Sequence, residues 1–595
     1  MSAPIEDYAL IGDGETAALV SRGGSMDWLC WPRFDSDACF AALLGTPEHG
    51  RWLIGPADTT AGGVTAVGRR YQPDTLVVET DLATPGGTVR LIDFMPIRDG
   101  SSAVVRIVAG LSGAVPMRMD LRLRFDYGAL PPWNEAAEDG VVAKVGPDLV
   151  VLHAPVPVRV HAHAAEAEFT VAAGQRLAFV LRYGPSNEPP PGTLDAEAAL
   201  AATQGFWRDW IGRFDDRRTR WPEAVRRSLI TLKAMIHRPT SGLVAAPTTS
   251  LPEAPGGDKN WDYRYCWLRD STFTLSALVN AGYHDEAERW RDWLLRAVAG
   301  SPAEMRIMYR VDGGRHLPEW SVRGLPGYRY ASPVRIGNAA STQLQIDVWG
   351  EVLESLHIGE RAGLPGSKQA DQVQAKLVEH LESVWKDAGS GVWESRQEPR
   401  QYTYSKVMAW AGIDRFLKGR ASVECGEEMK YRLAALRAEI HGAVCREGWN
   451  EGLGAFTQYF GGQELDASVL LLPAAGFLPA SEPRMASTIA AIGRELTQGG
   501  LVRRTAASGG STPEGAFLAC SCWMADCLNM QGRTDEAVAQ LERVLAVRND
   551  LGLLSEEYNV PGQHLAGNFP QALTHLAVVN TALGLSGPVL QRGGG

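Results

Sequence analysis

A chain of 595 residues is too long for one hydrophobic core and implies two or more domains. With 45% hydrophobic and 21% charged residues it is globular, and a net charge of −11 without a basic run excludes an ordinary nucleic-acid binder. The opening MSAPIEDYALIGDG has no charged segment leading into an apolar one, and no apolar run reaches the roughly 18 residues of a membrane helix, so a soluble cytoplasmic protein that binds no membrane is expected.

The first third reads as β-structure. TLVVETDLATPGGTVRLIDFMPI (75–97) holds two extended runs around a Pro-Gly-Gly turn, and SAVVRIVAG, PMRMDLRLRFDYG and the segment ending FVLRYG continue the alternation. Short strands with frequent turns predict an antiparallel sandwich over 1–192. IGDGET (11–16) lacks the third glycine and the βαβ setting of a phosphate loop. His161 and His163 share one strand face without a third ligand and read as an exposed pair. The period then changes. TLDAEAALAATQGFWRDWIGRF (193–214) is amphipathic and predicts a linker helix within 193–220.

From 221 to 595 helices dominate, expected over 222–237, 270–282, 284–299, 341–357, 368–385, 404–417, 427–443, 484–497, 515–531, 534–547 and 569–583. SALVNAGYHDEAERWRDWLL and WMADCLNMQGRTDEAVAQLERVL share one form: apolar helix, glycine break, Asp-Glu-Ala start of the next helix. This is an αα-hairpin signature with an aspartate cap, and about 370 residues of such pairs suit a closed ring better than a solenoid. Cys520, Cys522 and Cys527 sit in an apolar helical pattern as core thiols, with neither a zinc spacing nor a disulfide framework. The chain carries 18 Trp, whose flat faces fill cores and also stack on sugar rings.

Five stretches between the helices carry chemistry that packing does not require. NWDYRYCWLRDST (260–272) holds Asp262, Arg264, Arg269 and Asp270 beside Trp267; Asp270 suits either a helix cap or a sugar hydroxyl, with Arg269 donating. In GSGVWESRQEPRQYTYSK (389–406) Glu394 follows Trp393; a carboxyl against a large apolar ring has its pKa raised, as a general acid needs, while pairing with Arg396 is the plainer reading. The stretch 317–354 supplies two rival acids, Glu319 and Glu351. GGSTPEGAFLACSCW places Glu514 at a helix entrance, downstream of Arg503-Arg504. LSEEYN (554–559) sets Glu556 beside Glu557, either a solvated loop or a general base awaiting its acid.

These loops resemble glycoside hydrolase family 15, the glucoamylases and related bacterial trehalases, over nearly the whole length, including DYALIGDGETAALVSRGGSMDWLCWPRFDS. The resemblance implies a β-sandwich followed by a six-hairpin (α/α) toroid. It matches the family acid to Glu394 in Val392-Trp393-Glu394, and the base to Glu556 in Ser555-Glu556-Glu557-Tyr558. The sugar-gripping motif falls on Trp267, Arg269 and Asp270, and a further sugar-binding arginine on Arg504; Trp393, Glu514 and Glu557 complete the expected substrate contacts. Fungal glucoamylases carry a second Glu after the acid, where this chain has Ser395, a change at the leaving-group side. The DVWGE helix looks similar, but Gly350 stands at the acid's place and leaves Glu351 as runner-up. The implied activity is exo-acting, inverting hydrolysis of an α-linked di- or oligosaccharide without metal or organic cofactor. An inverting phosphorylase and a non-catalytic carbohydrate-binding protein are the alternatives.

Overall fold

The computed structural model describes residues 2–57, 65–506 and 514–590. The amino-terminal part is an antiparallel sandwich whose two sheets share one strand, Ala103–Arg122. Its first half pairs with Gly87–Phe94 and Arg176–Pro185, its second with Arg51–Pro56 and Ala165–Ala172. The crossing lies at the exposed stretch 111–114, where Gly113 has φ +64°. Such bends let one strand serve two layers. Beyond it the burial alternates, with Val115, Met117, Met119 and Leu121 in the core. Before it both faces are buried: Val104 and Val108 face the main core, whereas Val105 and Ile107 join a second cluster with Ala196, Ala199 and Leu200. A short turn, α1 (Phe125–Gly128), follows the strand.

Those three residues belong to α2 (Ala196–Ile211), which therefore covers the outer face of one sheet. Asp195 caps it, accepting from the N–H groups of Glu197 and Ala198 at 3.1 Å. The other end of α2 reaches the helical part, where Trp210 stacks on Tyr283 at 4.4 Å and donates to Glu286 at 2.7 Å.

The helical part is a ring of hairpins. Its inner wall runs α4 (Ser271–Asn280), α6 (Asp347–Arg361), α8 (Thr403–Lys418), a 3-10 turn (Ala467–Leu471), α11 (Leu518–Met530) and α13 (Ala572–Gly584), which packs back on α4. Outside lie α5 (His284–Ala297), α7 (Lys368–Val384), α9 (Glu427–Glu447), α10 (Pro483–Glu495) and α12 (Thr534–Ala546), while α3 (Pro222–Met235) packs on α13 and closes the ring. Inner helices such as α4 and α13 are buried on nearly every side, as a helix hydrophobic all round must be.

Three differences from the sequence reading are physical. Helix α6 begins at Asp347 rather than 341, because Asn338 caps a 3-10 turn and Gln343 is extended. The fourth inner element was not expected: DASVLLLPAAG is short and Pro473 stops it. The hairpin acids Asp285 and Asp535 lie in the first turns of α5 and α12, whose caps are Tyr283 and Arg533, so they serve the helix dipole rather than capping. His161 and His163 follow the two-residue strand Arg159–Val160 and are exposed.

The two parts are locked together by buried polar groups. Arg264 pairs with Asp262 at 2.7 Å and reaches into the sandwich, donating to Ser36 O at 2.6 Å and to the Tyr127 hydroxyl at 2.9 Å. Trp28 of the sandwich donates to Pro247 O at 2.7 Å. No helix among the described residues is long and apolar enough to cross a membrane.

Candidate active site

Each inner element is preceded by a loop, and the six loops meet at one end of the ring around a cavity of about 620 Å³. Arg269 precedes α4, Asn338 precedes α6, and Trp393 and Glu394 precede α8. Gln458 comes before the fourth element, Arg504, Glu514 and Phe517 before α11, and Glu556 before α13. The helix amino termini thus all face the cavity, an arrangement that favours anionic side chains there.

Glu394 sits in a tight turn in which its N–H donates to Gly391 O at 3.1 Å. Its φ is +59°, a left-handed value uncommon for a residue with a Cβ. Gly391 has φ +72°, and a Cβ there would stand 2.7 Å from the Tyr402 ring, so only glycine fits. The Glu394 carboxylate accepts from the Trp267 indole at 2.5 Å and lies 3.4 Å from Arg269. Burial raises its pKa against the pull of Arg269 and Trp267. Arg396, the plainer partner for Glu394, pairs instead with Glu319 at 3.0 and 2.5 Å.

Glu556 and Glu557 are both buried, and they diverge. Glu557 belongs to the short strand Glu557–Asn559, where it pairs with Phe517 and Ala566. Glu556 lines the cavity and accepts from the Tyr263 hydroxyl at 2.5 Å. Burial, and then the Glu253 carboxylate, raise the Glu556 pKa, against Arg504, Tyr263 and Arg269. Glu557 turns away, accepts from Gly515 N–H at 2.8 Å and lies 3.2 Å from Arg504; burial raises it strongly too. Gly567 presses on Glu556 from behind: a Cβ there would lie 2.6 Å from its carboxylate.

Arg504 is the hub of this side. It pairs with Glu253, with Glu514 at 2.8 Å and with Glu557, and its guanidinium lies 5.7 Å from the Trp393 ring and 5.2 Å from that of Phe517. Burial disfavours its charge, but Glu253 and Glu557 outweigh that and hold it protonated. Glu253, Glu514 and Glu557 are the carboxylates among the described residues close enough together to hold a metal ion. Arg504 and, at Glu514, Lys259 already neutralise them.

Of the sequence candidates, Arg269, Trp393, Glu394, Arg504, Glu514 and Glu556 line the cavity, whereas Trp267, Asp270 and Glu557 stand one layer behind. Trp267 holds Glu394; Asp270 makes no capping bond and instead accepts from Arg269 Nε at 2.8 Å. The rival acids are placed elsewhere. Glu351 is inside the ring, bonded by Tyr404 and by Thr272 at 2.6 Å. Glu319 faces the cavity rim through Arg396 and Arg335; burial would raise its pKa, but Arg396 and the Ala339 N–H lower it overall. Gly350 is in DVWGE for packing, since a Cβ there would meet Met408 O of α8 at 2.0 Å. The glycine-rich stretch 509–513 lies outside the described residues. Tyr263, Glu253, Gln458 and Asp466 were missed; of these only Tyr263 sat inside a singled-out loop, among three other aromatics that hid it.

The sequence pattern of glycosyl hydrolases family 15 matches residues 220–583, and that described as trehalase-like, N-terminal matches residues 1–207. A trehalase of Mycobacterium tuberculosis is 35% identical, covering 98% of this chain and 89% of its own. A trehalase of Thermoplasma volcanium is 32% identical, covering 99% and 94%. Among solved structures, a bacterial glucoamylase complexed with acarbose superposes with a TM-score of 0.76 at 12% identity, covering 99% of this chain and 95% of that one, a likeness of fold.

Proposed function

The chain belongs to glycosyl hydrolases family 15 and is a glycoside hydrolase, and from that premise we propose that it cleaves trehalose, with inversion, into two molecules of glucose. The observation that carries the mechanism is the pair of carboxyls presented by separate loops to one cavity, each with its own hydroxyl or indole donor. The trehalase relatives, similar over nearly the full chain, support the substrate.

Glu394 acts as the acid. Its raised pKa keeps the proton that passes to the bridging oxygen as the glycosidic bond breaks. Glu556, as carboxylate, takes a proton from a water that attacks the anomeric carbon from the opposite face. Tyr263 fixes the Glu556 oxygen that it bonds and so orients the carboxylate. Arg269 and Arg504 donate to sugar hydroxyls, with Asp270 and Glu557 holding them from behind. Trp393 offers an apolar edge.

Proton NMR on trehalose in the first minutes tests this. Inversion at one carbon releases α- and β-glucose in equal amounts. Release of α-glucose alone would mean retention. Product formation that consumes phosphate would make the enzyme a phosphorylase, and no turnover of trehalose would sink the substrate assignment.

A further inference from the structure

We propose that Asp466 is a positioning residue for the acid: it anchors the Trp393 indole and through it sets the placement of Glu394, the next residue. The inference rests on the reading of Glu394 as the acid. Asp466 is 1% exposed and precedes the fourth inner element, the one that is not an α-helix. Both its carboxylate oxygens accept from Trp393 Nε1, at 2.9 and 3.0 Å. Gln458 Nε2 donates to Oδ2 at 2.9 Å and Ser468 N–H to Oδ1 at 2.7 Å. The residue after it is tied to the Arg504 loop, Ala467 N–H donating to Arg504 O at 2.8 Å. The carboxylate thus joins the Trp393 loop to its own, and the backbone beside it joins that loop to a third.

The indole needs that anchor. Its other contacts are made through the ring faces and edge, stacked on Trp523 at 6.1 Å, edge-on to Phe517 at 5.3 Å and 5.7 Å from the Arg504 guanidinium. Ring contacts hold a plane against another plane but resist sliding weakly, whereas the bifurcated bond fixes the ring along its long axis. Glu394 follows directly and holds a left-handed φ that persists only where the surroundings over-determine it. Without the anchor the turn relaxes and the carboxyl leaves the glycosidic oxygen, while the sugar-binding arginines keep their own partners.

Asparagine tests the anchor most cleanly. Asp466→Asn keeps Oδ1 for the Ser468 N–H, and so the cap, but sets an NH₂ group where Oδ2 accepted from both Trp393 and Gln458. A displaced acid slows substrates whose leaving group needs a proton and spares one that leaves as an anion. On trehalose the variant is expected to lose roughly ten- to a hundredfold in kcat, the cost of about an ångström of misplacement, with KM little changed. On α-glucosyl fluoride kcat is expected to stay within about threefold, and Glu394→Gln is expected to show the same split between the two substrates. Trp393→Phe, which lacks the indole N–H, should reproduce the selective loss, and adding Asp466→Asn to it should cost little more. Equal losses on both substrates, no loss on either, or additive losses in the double variant would overturn the proposal. Should the wild type ignore trehalose, the substrate reading alone falls, and the same ratio is taken with maltose against the fluoride.

Discussion

Glu556 and Glu557 are sequence neighbours with different surroundings because Glu556 ends the loop that opens on the cavity and Glu557 begins the strand that leaves it. Their difference can be read in pH. Glu556 must be ionised to accept a proton, so activity falls as pH drops through its pKa, which burial and Glu253 hold up. Glu253→Gln removes the second cause. The acid limb of the kcat/KM profile should move to lower pH by roughly half to one unit. The alkaline limb follows Glu394, whose shift owes nothing to Glu253, and should stay in place. An unmoved acid limb would remove Glu556 from the base role. On the acid side, Glu394→Gln should lose about 10²–10⁴-fold on trehalose, because an amide carries no transferable proton. Glu319→Gln should lose less than about tenfold, since Glu319 is held ionised at the rim. Comparable losses from both would reopen the choice. At this scale the sequence was legible where a residue type is chemically loaded and flanked by a motif, as with Glu394 and Glu556. It was silent about Asp466 and Glu253, which look like any loop acid until folding sets them against Trp393 and Arg504.

Among the elements, the helices were legible because an apolar stripe or an apolar run repeats with helical period, and the outer members add first-turn acids. The fourth inner element was not, because five residues of 3-10 turn before a proline carry no period to detect. Gly350 shows why a motif needs its element: on α6 it is the point where α8 passes closest, not a decayed acid site. Gly350→Ala should force the two helices apart and cost about 1–3 kcal/mol, read as a lower Tm, with the Glu394 loop otherwise intact. An unchanged Tm would mean that the helices separate without cost.

For the whole molecule, the change of hydrophobic period near residue 193 was enough to divide sheet from helix, but nothing in it told how the parts join. The loop 260–270 illustrates the difficulty. Tyr263 and Arg269 face the cavity, while Asp262 and Arg264, singled out with them as polar loop residues, serve the junction with the sandwich. Arg264→Met would leave the Asp262 charge buried and unpaired. The expected loss is about 3–5 kcal/mol of stability in thermal or denaturant unfolding, and unfolding at the wild-type midpoint would show that water reaches the junction. The ring itself is closed by α3 and α13, helices from opposite ends of the helical part. On the ribosome, therefore, five of the six cavity loops are made before the last one exists. Glu556 and the helix that completes the ring come last of the six, so a nascent chain carries the proposed acid before its base, and hydrolysis waits for both.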